Sequence, residues 1–141
     1  MIDLLMVAFG GAIGTLGRRH VGAFVHTRAN ERLGLVEEFP FGTLPVNLLG
    51  ALALGAVIRA AERSGGRLAW MRDLLGVGFC GAFSTFSALS LEYVRFAVEE
   101  EHLAGVLYVL GSLVVGGVLA WIGARLVDLA SPPGRRKDAA S

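Results

Sequence analysis

The sequence predicts an all-α membrane protein of four transmembrane helices, on three observations: an apolar composition, four long apolar stretches cut by charged loops, and an abundance of glycine. Of 141 residues, 54% are hydrophobic and only 18% are charged, with a mean hydropathy of +0.61. That balance is too apolar for a water-soluble domain of this size, so lipid is the expected solvent. The 20 glycines agree, because small residues let membrane helices approach closely where no hydrophobic effect draws them together. The single cysteine, Cys80, excludes an intrachain disulfide. The opening Met1-Ile2-Asp3-Leu4 lacks the basic segment of a cleaved signal peptide, so the first apolar stretch is expected to be retained.

The apolar stretches run over 4–25, interrupted by Arg18-Arg19-His20, then 42–58, 74–96 and 103–126. Each is close to the ~20 residues that cross a bilayer core. Charges gather between them, at 28–38, 59–73 and 99–102. Residues 1–130 thus form one transmembrane domain, and 131–141, with Pro132-Pro133-Gly134-Arg135-Arg136-Lys137, form a polar tail expected to be disordered. With the N-terminus inside, the inner segments hold eight Lys and Arg residues and the outer ones five, a small bias toward that orientation.

Enzyme chemistry is not expected. His20, His26 and His102 lie near helix ends or in loops, and Cys80 has no neighbouring base, so neither a metal-ligand spacing nor a nucleophile–base pair can be read. Gly76-Val77-Gly78-Phe79-Cys80-Gly81 fits G-x-G-x-x-G formally, but it sits within an apolar span rather than in a strand–turn–helix unit. No nucleic-acid partner is expected either.

Polar residues inside the spans carry the functional information, since each must be satisfied without bulk water. Thr43 and Asn47 are four apart and share one helix face, as do Tyr108 and Ser112, with Gly116 continuing that stripe. Such residues serve either interhelical hydrogen bonding or a polar track. The third span is unusual: Gly81-Ala82-Phe83-Ser84-Thr85-Phe86-Ser87-Ala88-Leu89-Ser90 places glycine and four hydroxyl residues at mid-membrane. Either the helix breaks there and exposes backbone groups to an ion, or it continues with its hydroxyls bonded to the preceding turn. Glu92 is the only carboxylate well inside a span, as a track terminus or a helix-end anchor.

Four motifs carry a resemblance. Gly10-Gly11-Ala12-Ile13-Gly14 with Arg18, Gly42-Thr43-Leu44-Pro45-Val46-Asn47-Leu48-Leu49-Gly50, Gly78 to Ser87 with Glu92, and Tyr108-Val109-Leu110-Gly111-Ser112 resemble the fluoride channel family called Fluc or CrcB, in order and across all four spans. The resemblance implies a passive fluoride exporter of the bacterial cytoplasmic membrane, assembled as an antiparallel dimer with two pores, a third helix broken at mid-membrane and a central structural sodium ion. By motif position it makes Asn47 the pore-facing amide and Phe86 the first pore phenylalanine. Thr43, Glu92, Tyr108 and Ser112 become members of the polar track, and Gly81 and Ser84 the backbone-carbonyl ligands of sodium. Arg18 matches the family's first-helix arginine, against the alternative of an interfacial anchor.

Fluoride is costly to dehydrate, so a pore must replace water with donors: an amide, hydroxyls, and the positive edge of an aromatic ring. Three positions depart from the family's T-T-F-S-T-F run: Ser84, Ala88 and Leu89 stand where a Thr, a Thr and the second pore Phe are usual. Leu89 offers no polarised ring edge, which puts the second aromatic site in question and raises a pairing with an oppositely oriented paralogue as the alternative to a homodimer. The rival functions are a proton-coupled four-helix exporter, which needs a carboxylate deep in the first span where only the terminal Asp3 is present, and a structural membrane subunit without transport.

Overall fold

A computed structural model of the chain describes residues 2–33 and 42–130; the polar tail at 131–141 and most of the first charged loop lie outside the described residues. Among the described residues every regular element is helical. α1 (Ile2–Leu33) and α2 (Thr43–Arg63) are followed by α3, covering 69–83, then α4 (Phe86–Val98) and α5 (His102–Ala130). Only Ser84 and Thr85, both extended, separate α3 from α4, so the chain forms four helical rods with the third in two pieces. The second, third and fourth rods, Thr43–Arg63, Ala69–Val98 and His102–Ala130, are long and apolar enough to cross a membrane. α1 falls short of that standard because Arg18, Arg19 and His20 sit within it. The protein is a multi-pass membrane protein.

The helices outrun the apolar stretches that predict them. α1 continues to Leu33 rather than ending near 25, and α2 to Arg63 rather than 58. Backbone hydrogen bonding extends a helix into the polar layer at no loss, so apolarity marks the embedded part and not the helix end. Within α3 the middle section, Arg72–Cys80, is π-wound.

Close backbone contact organises the bundle in two pairs, α1 with α3 and α2 with α5. On the first pair, Gly10 lies against the Leu74 carbonyl and Gly14 against that of Phe79, where a Cβ would overlap backbone. On the second, Gly55 meets the Ala120 carbonyl and Gly123 that of Leu52, with the same consequence. From Gly116 beside Ala51, through Ala120 at Gly55, to Asp128 at Arg59 and Arg63, the contacts advance together along both helices, so α2 and α5 run parallel and end on the same side. There Arg59 and Arg63 both donate to Asp128. α4 turns back into α5 through Glu100, which has a φ of 63°. The Glu101 N–H donates to the Phe96 carbonyl at 2.8 Å and the Glu100 N–H to that of Ala97 at 3.3 Å, the paired bonds of a Schellman cap with glutamate in the usual glycine place.

Few side chains are buried; among the described residues the apolar ones are Val46, Ala61, Cys80, Phe83, Leu89 and Phe96. Large apolar groups such as Phe9, Leu107, Val114 and Leu129 stay exposed, and no described polar or charged residue is fully buried. An apolar exterior over a small interior is what a lipid solvent permits.

The glycine contacts make a prediction. Gly55→Leu would force α2 from α5 against backbone and lower the melting temperature in detergent, or prevent recovery of monodisperse protein, since overpacking costs about 1–3 kcal/mol or more. Gly117→Ala, where a Cβ meets nothing within 4 Å, should melt as the parent does. Size-exclusion chromatography and thermal unfolding of both variants check this.

Candidate ion pathway

The interruption in the third rod is held by one side chain. At Ser84 and Thr85 the backbone is extended, with ψ of 161° and φ of −150° respectively. The Thr85 N–H donates to the Asn47 Oδ1 at 2.7 Å, and the Asn47 Nδ2 donates to the Thr85 carbonyl at 3.0 Å. The carboxamide therefore bonds both backbone polar groups of Thr85, the N–H that α3 leaves out and the carbonyl that opens α4. Gly50, on the same face of α2, lets this happen: a Cβ there would stand 3.1 Å from the Ser84 Cβ. Phe83, buried and stacked on Phe79 with centroids 5.4 Å apart, packs beside it.

Beyond the interruption Thr85 caps α4, its Oγ1 accepting from the Ala88 N–H at 3.3 Å and lying 3.0 Å from the Ser87 hydroxyl. In a continuous α-helix the Thr85 N–H would serve the Gly81 carbonyl, and the Ala88 N–H that of Ser84. Both donors are engaged elsewhere, on Asn47 and on the Thr85 hydroxyl. Gly81 and Ser84 are thus among the four residues, 81–84, whose carbonyls lose their i+4 helical partners at this helix end. No group of three or more His, Cys, Asp or Glu able to hold a metal occurs among the described residues.

A polar line begins one turn from Asn47. The Tyr108 hydroxyl donates to the Glu92 Oε2 at 2.6 Å, and the Thr43 side chain lies close to the same carboxylate. Three residues from α2, α4 and α5 therefore meet at one point, with Glu92 directed into the bundle. Ser112, the next turn along α5, donates to the Tyr108 carbonyl at 2.6 Å and so faces its own helix. The Tyr108 ring also packs on Phe96, centroids 5.8 Å apart.

Two cavities flank the interruption. One, of about 370 Å³, brings Arg18 of α1 together with Thr43, Thr85 and Ser87. The other, of about 340 Å³, lies between α4 and α5, walled by Phe86, Tyr93 and Val106, with Leu89 as its floor. Phe86 is 71% exposed whereas Leu89 is 4% exposed. The structure thus gathers Thr43, Glu92 and Tyr108, joins Asn47 to the interruption, and sets Arg18 on the other side of it. Sequence reasoning gave no role to Thr85 or Ser87. The available signal was a hydroxyl residue three positions before a helical amide, the pattern of an N-cap.

A family profile described as "CrcB-like protein, Camphor Resistance (CrcB)" matches residues 5–124. The chain is 37% identical over 131 residues to the "Fluoride-specific ion channel FluC" of Methylobacillus flagellatus, covering 92% of this chain and 97% of that protein. It is 39% identical over 122 residues to the protein of that name from Thermus thermophilus, covering 86% and 91%. With "Fluoride-specific ion channel FluC 2" of Bacillus thuringiensis subsp. konkukian it shares 33% identity over 126 residues, covering 89% and 98%. Both the profile and these alignments take in the interruption, Asn47 and the polar line together, and on that extent of agreement the chain belongs to the CrcB family.

Proposed function

We propose that the chain is a fluoride-selective channel, not an enzyme, giving passive fluoride efflux across the bacterial cytoplasmic membrane. The observation that carries this reading is the placing of an amide, hydroxyls and an interrupted backbone at one level of an otherwise apolar bundle. The names of the relatives support fluoride as the ion. In this reading the interruption lies at mid-membrane and the protein works as an antiparallel dimer with a sodium ion held at its centre by the Gly81 and Ser84 carbonyls. That cation supplies a fixed positive field near the path of the anion.

Fluoride exchanges water for donors along the polar line. Asn47 uses one Nδ2 hydrogen on Thr85, and the second is available to the anion. The hydroxyls of Thr43, Tyr108 and Ser112 are rotors now directed at Glu92 or at a carbonyl; each turns to a passing anion and back. The exposed Phe86 offers its ring edge from the groove. Glu92 keeps the hydroxyls oriented when no anion is present, and Arg18 holds a structural place beside Thr85.

The test of the reading is fluoride efflux from proteoliposomes, measured with and without a pH gradient. Efflux independent of the gradient is expected; dependence on it would make the chain a proton-coupled exporter, and no efflux would leave a structural subunit. In the same assay Asn47→Asp should cut flux by two orders of magnitude or more, because it removes the donor to the Thr85 carbonyl and sets an anion on the anion's path. Flux near the parent's would take Asn47 out of the pore.

Phe86→Ile and Phe83→Ile separate conduction from packing. Phe86→Ile should lower flux with little change in melting temperature, since the ring is mostly exposed. Phe83→Ile should lower the melting temperature, by the few kcal/mol that follow from truncating a buried aromatic, while leaving flux per folded channel closer to the parent's.

Leu89 decides between a homodimer and a pair of paralogues. Its burial makes it the floor of the groove, with room above for a larger ring. If the chain works with an oppositely oriented paralogue, the purified protein conducts poorly, and Leu89→Phe or co-reconstitution with a paralogue bearing both aromatics raises flux. Strong flux from the chain alone, unchanged by Leu89→Phe, establishes the homodimer.

A further inference from the structure

The groove of about 340 Å³ between α4 and α5 holds a polar group that neither the fold nor the polar line employs. Among the described side chains that line it, only Ser90 and Tyr93 carry a polar atom; the others, Leu89, Val109 and Leu110 among them, are apolar. The Ser90 Oγ donates to the Phe86 carbonyl at 3.0 Å. The chain's other tyrosine, Tyr108, spends its hydroxyl on Glu92. The Tyr93 hydroxyl has no hydrogen-bonding partner among the described residues. A phenol O–H left bare in hydrocarbon costs free energy, so its acceptor has to come from within the groove.

α5 fixes the position of this ring. Gly105, buried on α5, brings the backbone so near that a Cβ there would stand 3.1 Å from the Tyr93 Cδ2 and 3.4 Å from Cε2. One edge of the ring is thereby covered, while the residue as a whole stays 37% exposed. Tyr93 follows Phe86 by two helical turns less about 20°, so the two rings rise from one face of α4. Ser90, about 40° round from Phe86, falls between them in height. Glu92 is about 100° from Tyr93 around the same helix, on the flank where the Tyr108 hydroxyl reaches it. The groove and the polar line therefore occupy the two sides of the α4–α5 contact, with the buried Leu89 and Phe96 between.

Depth decides what the Tyr93 hydroxyl serves. A tyrosine at the headgroup level finds water for its O–H. Tyr93 is no more than ~12 Å along the helix from Thr85. With the interruption at mid-membrane, that keeps it inside the ~15 Å taken by half of a hydrocarbon core. An acyl chain lying in the groove has no acceptor to offer the phenol, whereas fluoride is an acceptor that needs donors in exchange for water. On the channel reading above, we propose that Tyr93 is a further fluoride-contacting residue, its hydroxyl donating to the ion in the groove beyond the Phe86 ring. The Ser90 hydroxyl, rotating off the Phe86 carbonyl, serves the ion between the two. The Tyr93 ring also gives α4 a second aromatic edge on the face where Leu89 has none.

Fluoride efflux from proteoliposomes carrying equal amounts of folded protein tests this on the full chain. Tyr93→Phe keeps the ring and removes only the donor. It should lower flux about tenfold, the factor that one hydrogen bond to an ion commonly carries, and should melt and elute as the parent does, because the hydroxyl bonds nothing in the fold. Tyr93→Leu removes edge and donor together and should lower flux further; if it fails to fold, Tyr93→Phe alone decides. Flux from Tyr93→Phe equal to the parent's overturns the proposal and leaves the channel reading intact. A Tyr93→Phe variant that melts well below the parent also overturns it, since the hydroxyl then supports the assembled protein and not the ion. Absence of fluoride efflux from the parent removes the channel reading itself, and the role of Tyr93 with it.

Discussion

The carboxamide of Asn47 meets both the N–H and the C=O of Thr85, so a side chain from α2 stands in for a neighbouring peptide group. An unsatisfied backbone group in hydrocarbon costs several kcal/mol, and the Thr85 N–H has no helical acceptor. The rest of the bundle is arranged around that need. α2 must come within reach, which Gly50 allows by admitting Ser84, and Phe83 must fill the space beside the approach. α4 must begin again at once, which Thr85 arranges by capping it. The carbonyls of Gly81 and Ser84 are among the four, at 81–84, that this solution leaves without an i+4 helical donor.

The polar line is separate from this support but depends on its register. Because Asn47 fixes where α4 starts, Glu92 arrives level with Thr43 and Tyr108, bonded to the Tyr108 hydroxyl and close to the Thr43 side chain. A shift of α4 by one residue would turn Glu92 by about 100° around the helix, away from both partners. The large apolar side chains are free of that restriction, since lipid accepts them on any face.

Much of this was legible in the sequence, and the losses have physical causes. Apolar stretches locate the embedded helices because lipid enforces their composition, but they understate length at Leu33 and Arg63, where the helix continues among charges. The four-residue spacings of Thr43 with Asn47 and of Tyr108 with Ser112 point to shared faces. They do not say that Ser112 turns back to its own helix or that Asn47 spends two bonds on Thr85. The run from Gly81 to Ser90 left a continuous and an interrupted helix equally open, since hydroxyls serve either; what selects between them is a partner 38 residues away. Leu89 stands by motif where a second pore phenylalanine is usual, and that it is buried within the chain is not legible, because burial depends on how α4 lies against α5. The π-wound section of α3 has no signature in residue type at all.

Asn47 precedes Thr85 in the chain, and that order has a bearing on how the protein is made. A membrane chain is delivered to the bilayer from its N-terminus onward, so α2 is in place while the third rod is still being synthesised. The Thr85 N–H therefore enters lipid with its partner already waiting. In the reverse order Thr85 would spend the interval before α2 emerged with its backbone bare, and the cheaper outcome would be to wind the rod into one unbroken helix. The linear order of the segments thus protects the interruption during biogenesis, before any assembled protein exists to hold it.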